Sequence, residues 1–291
     1  MCVVQIYTIH GYLNGEGMPL VWALLPNKTT ETYVELFSAL RDALLTTFGT
    51  IGNVMTVLTD FERAAINALS QVFPTVRVKG CSFHFRQAMM RRMQREGLKA
   101  AYEVDESAVR VWLRRIMAMT MLPAFAIPLM WEHMRFPPKS GDLLTDAKSS
   151  SFAAYVGSTW IDGEFPPSMW SHFDNLGPRT TNLAEGWHNG LNSSLGVSHP
   201  SLRTFLDWLQ RYQFEIQCRG MQLLAGRPAK DRRPAYVKVD NDMAAAKLRY
   251  GTEIGHVFCF LFPQPSYLER FHAVTYQYLD HMSYLVLGLP A

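Results

Sequence analysis

Residues 3–12 are rich in Val, Ile, Tyr and Thr, Asn14-Gly15 marks a tight turn, and Met18 to Leu25 forms a second apolar run. That pattern predicts a β-hairpin. Pro26-Asn27 ends the second strand, and from Thr32 the residues Tyr33, Leu36, Phe37, Leu40 and Leu44 recur at helical spacing. Thr32 and Glu35 have capping-box spacing, so a helix is expected to start there and cover one sheet face. Val54 to Thr59, between Gly52-Asn53 and Asp60, has the length and composition of a strand buried on both faces. Phe61, Ala65, Ala68, Leu69 and Val72 make the apolar stripe of a helix that stops at Phe73-Pro74. Thr75 to Lys79 reads as another strand. From His84 a further helix sets Phe85, Met89 and Met93 on one side and Gln87, Arg91, Arg95 and Lys99 on another. The order ββαβαβα implies an α/β fold, a mixed sheet with helices packed on it.

From Ser107 to about Ser171 the chain turns helical and aromatic, with Trp112, Trp131, Trp160 and Trp170 and a polar break at 138–141. Helical periodicity returns in Trp187, Leu191 and Leu195, and again in Leu202 to Leu224. Arg227 to Arg233 has linker character, and residues 225–291 carry no motif with a chemical reading.

Composition narrows the class without naming a partner. At 291 residues, 48% hydrophobic and 18% charged, the chain can bury a substantial core, and a net charge of +3 is only mildly basic. Cysteines 2, 81, 218 and 259 are too scattered for a disulfide framework, which points to a reducing, intracellular compartment rather than secretion. The longest apolar run, Ile116 to Trp131, is interrupted by Pro123 and Pro128 and reads as a buried helical segment, not a membrane span. The first residues lack a basic flank and alternate like a strand, so they read as neither signal nor transit peptide.

Asp60 follows a buried strand at its carboxyl end, where α/β sheets bind ligands, but it could equally cap the next helix. Glu185 shares one polar helix face with His188, Asn189 and Asn192, opposite Trp187, Leu191 and Leu195. Asn182 and Glu185 also have capping-box spacing, and the residues alone favour that reading. Cys81-Ser82-Phe83-His84 sets a thiol and an imidazole three positions apart at a strand-to-helix turn. A closed zinc site needs four ligands and no second such pair appears, so a buried Cys beside a hydrogen-bonded His is the simpler reading. Arg91, Arg95 and Lys99 form a basic row that could touch phosphates or simply face water.

Taken in order, Gln5-Ile6-Tyr7-Thr8-Ile9-His10-Gly11, Pro19 to Leu25, Thr59-Asp60-Phe61-Glu62, Gly80 to Gln87 and Asn182 to His188 resemble successive blocks of the transposases of Mutator-like elements. The resemblance spans roughly residues 3–215. It implies an RNase H-like fold with an all-helical insertion before the last acidic residue. Residues 1–105 would be the first part of the core, 106–178 the insertion, 179–224 the final core helices and 225–291 a region of unassigned role. It further implies a DDE-type transposase that cuts and joins DNA strands, in which Asp60 matches the second acid, Glu185 the third, and Cys81 with His84 the intervening CxxH motif. Two Mg²⁺ or Mn²⁺ ions would be held by Asp60 and Glu185, zinc is not expected, and the partners would be transposon ends and target DNA. A homo-oligomer and a nuclear location fit the same picture.

The family carries its first Asp on a strand just ahead of Gln5-Ile6-Tyr7-Thr8, so the resemblance implies a chain that starts too late to hold that residue and is inactive as given. The competing expectation is a domesticated, non-catalytic protein that binds DNA or regulates. A third treats Cys81, His84 and His188 as parts of a structural zinc site.

Overall fold

The computed structural model describes residues 5–52, 54–175, 177–196, 201–258 and 265–288, leaving Cys2 and Cys259 outside it. Strands β1 (Gln5–Leu13) and β2 (Glu16–Leu25) pair antiparallel across the Asn14-Gly15 turn. Both turn residues take positive φ, 48° and 86°, as a tight hairpin turn requires. The register runs Ile9 to Val21 and then His10 to Pro19, so Leu20 is an extra residue, 60% exposed.

Strand alternation divides the hairpin's apolar residues between two cores. Tyr7, Ile9, Ala23 and Leu25 pack with Tyr33 and Phe37 of α1 (Thr30–Phe48) and with Ala65, Ala68, Leu69 and Val72 of α2 (Arg63–Val72). Ile6, Trp22 and Leu24 pack in the other core, described below. The cap of α1 is Thr29, whose hydroxyl accepts from Thr32 N at 3.4 Å, and not Thr32 as the sequence suggests. Asn27 decides this: its Oδ1 accepts from Thr29 N and from the Thr32 hydroxyl, at 3.2 and 2.6 Å, fixing the entry to the helix three residues early.

Strand β3 covers only Thr56–Thr59, and its partner is β4 (Arg77–Gly80). The four strands therefore form two separate two-stranded ladders among the described residues, rather than one mixed sheet. Val54 and Met55 are 53% and 75% exposed, and Val57 and Leu58 are half-buried, so the expected double burial of this run is corrected as well. An apolar run gains full cover only where a strand or helix lies on each side of it, and here β4 is the one strand alongside. Helix α3 (Ser82–Arg95) follows β4 and buries Phe85, Met89 and Met93 on one side, as its spacing predicts.

The chain divides into two compact units, Met1–Val78 with Thr180–Arg232, and Lys79–Arg179 with Arg233–Ala291. The second unit is helical. After α3 it holds α4 (Lys99–Glu103), α5 (Ala108–Ala118), α6 (Ala126–Met134), α7 (Leu143–Val156) and α8 (Pro167–Trp170). The apolar run at 116–131 is split by a turn at Met119–Met121 and is buried along most of its length. Trp170 is fully buried, stacks on Phe85 at 4.7 Å between ring centroids, and donates to the Trp160 and Phe165 carbonyls at 3.0 Å each.

Helices α9 (Asn182–Leu195) and α10 (Leu202–Leu224) return to the first unit, where Trp187, Leu191 and Phe205 build the second core. Arg219 on α10 grips Glu16 at the hairpin turn, and Asn14 Nδ2 donates to Leu223 O at 2.9 Å. Helices α11 (Pro234–Phe258) and α12 (Pro265–Leu287) complete the second unit. No helix among the described residues is long and apolar enough to cross a membrane.

Candidate active site

Asp60 directly follows β3, yet it does not cap α2. The cap position is Glu62, which makes no side-chain cap bond, and Asp60 Oδ1 instead accepts from Glu62 N at 3.3 Å, a local turn contact. Glu62 is held from the other side, because Tyr33 Oη donates to its Oε1 at 2.7 Å while accepting from Gln5 Nε2 at 2.8 Å. Tyr7 on β1 lies beside this segment and hydrogen-bonds the Thr59 side chain. Burial, then the charges of Asp60 and Glu62, push its phenol well above the ordinary range. Asp60 thus occupies a turn pinned to β1 and α1 by aromatic hydroxyls, with its carboxylate not consumed by a helix terminus.

Glu185 sits in the first turn of α9, whose cap is Thr181 and not Asn182. Glu185 and His188 are half-buried, Asn189 and Asn192 are exposed, and Trp187 and Leu191 turn inward. The helix is seated closely on the hairpin. A Cβ at Gly17 would collide with the Leu183 side chain, so glycine permits this approach. His10 on β1 faces Trp187 edge-on at 6.1 Å, and its Nε2 lies 3.1 Å from Thr8 Oγ1. Burial and then the neighbouring His188 lower the His10 pKa to about 4, and burial lowers that of His188.

Asp60 and Glu185 therefore belong to the same unit, and β1 borders both of their surroundings, through Tyr7 and through His10. Sequence reasoning passed over Tyr7, His10 and Glu62. Period-two alternation does place His10 on the face of Ile6 and Thr8, which was the available signal.

The other candidates lie in the second unit. Cys81 is buried at the cap of α3, and His84 is half-buried in its first turn. Arg91 and Arg95 are exposed on α3, but Gly97, with φ of 73°, ends that helix before Lys99, which opens α4 and pairs with Glu103 at 3.7 Å. The basic row is thus two short pieces and not one helix face. Among the described residues, no three His, Cys, Asp or Glu side chains gather as a metal cage.

Residues 2–88 match the family model of the MULE transposase domain. The matched segment takes in the hairpin, Asp60 and the Cys81–His84 motif. Glu185 lies beyond it. No curated protein and no solved structure matches the chain.

Proposed function

We propose that this MULE domain derives from a DDE-type, RNase H-like enzyme that cuts and joins DNA strands, with Asp60 and Glu185 as two of its acidic residues. The observation that carries the reading is that Asp60 stands at the carboxyl end of β3 without being the cap of α2, and that Asp60 and Glu185 both lie in the unit containing most of the matched segment.

The donor chemistry fits a hard cation. Carboxylate oxygens suit Mg²⁺ or Mn²⁺, and Mg²⁺ is commonly held by one or two carboxylates with phosphate and water oxygens filling the remaining positions, so a cage of three protein ligands is not required. Such ions, when bound, stabilise the attacking and departing oxygens of strand transfer. The chain's own part is to position the acids. Tyr33 and Gln5 fix Glu62, and through it the turn that carries Asp60. Trp187, Leu191 and Leu183 seat α9 on the hairpin and so orient Glu185.

Calorimetric titration of the chain with Mn²⁺ tests this. The unaltered protein is expected to bind, with Asp60→Ala and Glu185→Ala each weakening binding at least tenfold while retaining the parent's circular dichroism. Unchanged affinity in both variants removes the catalytic assignment and leaves a non-catalytic, DNA-binding descendant as the reading.

A further inference from the structure

Where α6 meets α12 in the second unit, two histidines face each other. The rings of His133 and His272 lie 4.5 Å apart between centroids and are tilted by 36°. His133 Nδ1 lies 2.6 Å from the hydroxyl of Tyr276, one turn along α12 from His272. That bond survives either charge state of His133, because a neutral ring nitrogen accepts from the phenol and a protonated one donates to it. His272 is placed differently. Its ring bonds the Leu129 carbonyl on α6, which needs a donor, and this leaves the buried Nε2 as the unprotonated nitrogen, without a hydrogen-bond partner among the described residues. An imidazolium here would bury an N–H that has no acceptor and would set its charge against the ring of His133, so the junction favours the neutral form.

The acids nearby are engaged or turned outward. On α6, Glu132 is exposed and pairs with Arg135 at 3.4 Å. On α12, Glu269 is exposed one turn before His272, and Asp280 accepts two bonds from Arg115 of α5, at 2.6 and 2.7 Å. The Arg115 guanidinium also stands 4.3 Å over the Tyr276 ring. From α11, Tyr250 meets α12 at Thr275 and Tyr278. Burial first and then His133 lower the His272 pKa, opposed by the bond to Leu129. The folded junction therefore holds His272 neutral, while an opened one takes up a proton near 6.5. Stability from this contact is complete above about pH 6.5 and is lost as pH falls below it. His133 and Tyr276 also line a depression of about 290 Å³ together with Trp112 and Met134, which are buried, and Phe136, which is exposed. Trp112 Nε1 donates to Met134 O at 2.8 Å, so the indole is covered by the end of α6.

We propose that the His133–His272 pair is an acid-released latch: when His272 takes up a proton, the end of α6 leaves α12 and uncovers Trp112 and Met134. The latch owes nothing to the catalytic reading, since Asp60 and Glu185 belong to the other unit.

The test is hydrogen exchange of the full chain one pH unit above and one below the ordinary imidazole value of about 6.5, corrected for the intrinsic pH dependence of exchange. Opening of the α6 and α12 amides should rise about five- to tenfold over that interval, the factor that one imidazole free to titrate only in the open form supplies. Amides of α7, in the same unit, should rise by no more than about twofold. His272→Phe keeps a ring against His133 but removes the titrating nitrogen, so the response of α6 and α12 should vanish. His281→Gln, at an exposed position of α12, should retain it. An equal response in the parent and in His272→Phe overturns the latch. So does a rise in α7 as large as that in α6, which would report loss of the whole unit. Should His272→Phe fail to fold, imidazole NMR of the unaltered chain decides. His272 titrating below about 6.5, with a parallel shift at Tyr276, supports the latch, and titration at the ordinary value overturns it.

Discussion

Tyr33 Oη donates a 2.7 Å hydrogen bond to Glu62 Oε1, linking the buried tyrosine of α1 to the residue two positions beyond Asp60. Tyr33→Phe keeps the ring, and with it the stacking on Phe37, but leaves Glu62 and Gln5 without their shared partner. The expected cost is about 1–3 kcal/mol, since a hydrogen bond to a charged group is lost and its partners stay partly buried. Urea unfolding followed by circular dichroism checks it. A midpoint equal to the parent's would mean that the hydroxyl holds nothing in place.

Tyr7 gives a pH signature for the same corner. Its folded pKa is raised, by burial first and then by Asp60 and Glu62, so the fold favours the neutral phenol. Stability from this source is fully present below the unfolded value of about 10 and is lost as pH rises through the alkaline range above it. Tyr7→Phe should therefore unfold at a higher alkaline pH than the parent. Asp60→Asn should trim part of the same alkaline loss, and should add nothing in the double variant, because its effect acts through the Tyr7 charge. Additive shifts would place Asp60 away from Tyr7.

Much of the first unit was legible in the chain because its signals are local. Asn14-Gly15 announces the hairpin, and 3.6-residue spacing announces α1 and α2, as it does α3 in the second unit. The errors have physical causes too. Thr29 and Thr32 are equally good capping types, and only the three-dimensional position of Asn27 selects between them. An apolar run such as Val54 to Thr59 records a preference for burial but not which neighbours arrive to provide it, so exposed Val54 and Met55 could not be foreseen. For the candidate site, motif resemblance singled out Asp60 and Glu185 one at a time. The surroundings that give them chemical interest, Tyr7 beside Asp60 and His10 beside Trp187 and His188, join residues many positions apart and leave no periodicity to read.

His10 predicts the behaviour at the acid end. Burial, with His188 as a second cause, depresses its pKa to about 4, so the folded state holds the ring neutral while the unfolded chain takes up a proton near 6.5. This contribution is present above about pH 6.5 and is lost as pH falls toward about 4. Thermal melts across that range should show His10→Gln losing less stability on acidification than the parent. Parallel curves would sink the assignment of a buried neutral imidazole against Trp187.

In the second unit, Trp170 separates the contribution of a ring from that of its nitrogen. The indole is fully buried against Phe85, and its Nε1 serves two carbonyls at once, those of Trp160 and Phe165. Trp170→Phe keeps much of the apolar contact but removes the donor that the two carbonyls share, one of them buried and one partly buried, at a cost of about 1–3 kcal/mol. Trp170→Ala also opens a cavity under Phe85, and about 3–5 kcal/mol is expected. With two compact units, unfolding need not be one transition, so the comparison is best read from hydrogen exchange of α3 and α8 amides rather than from a whole-chain midpoint. The order parent, Phe, Ala in protection is the expected result. A Phe variant as protected as the parent would show that those two carbonyls find another donor, and that the tryptophan is there for its ring alone.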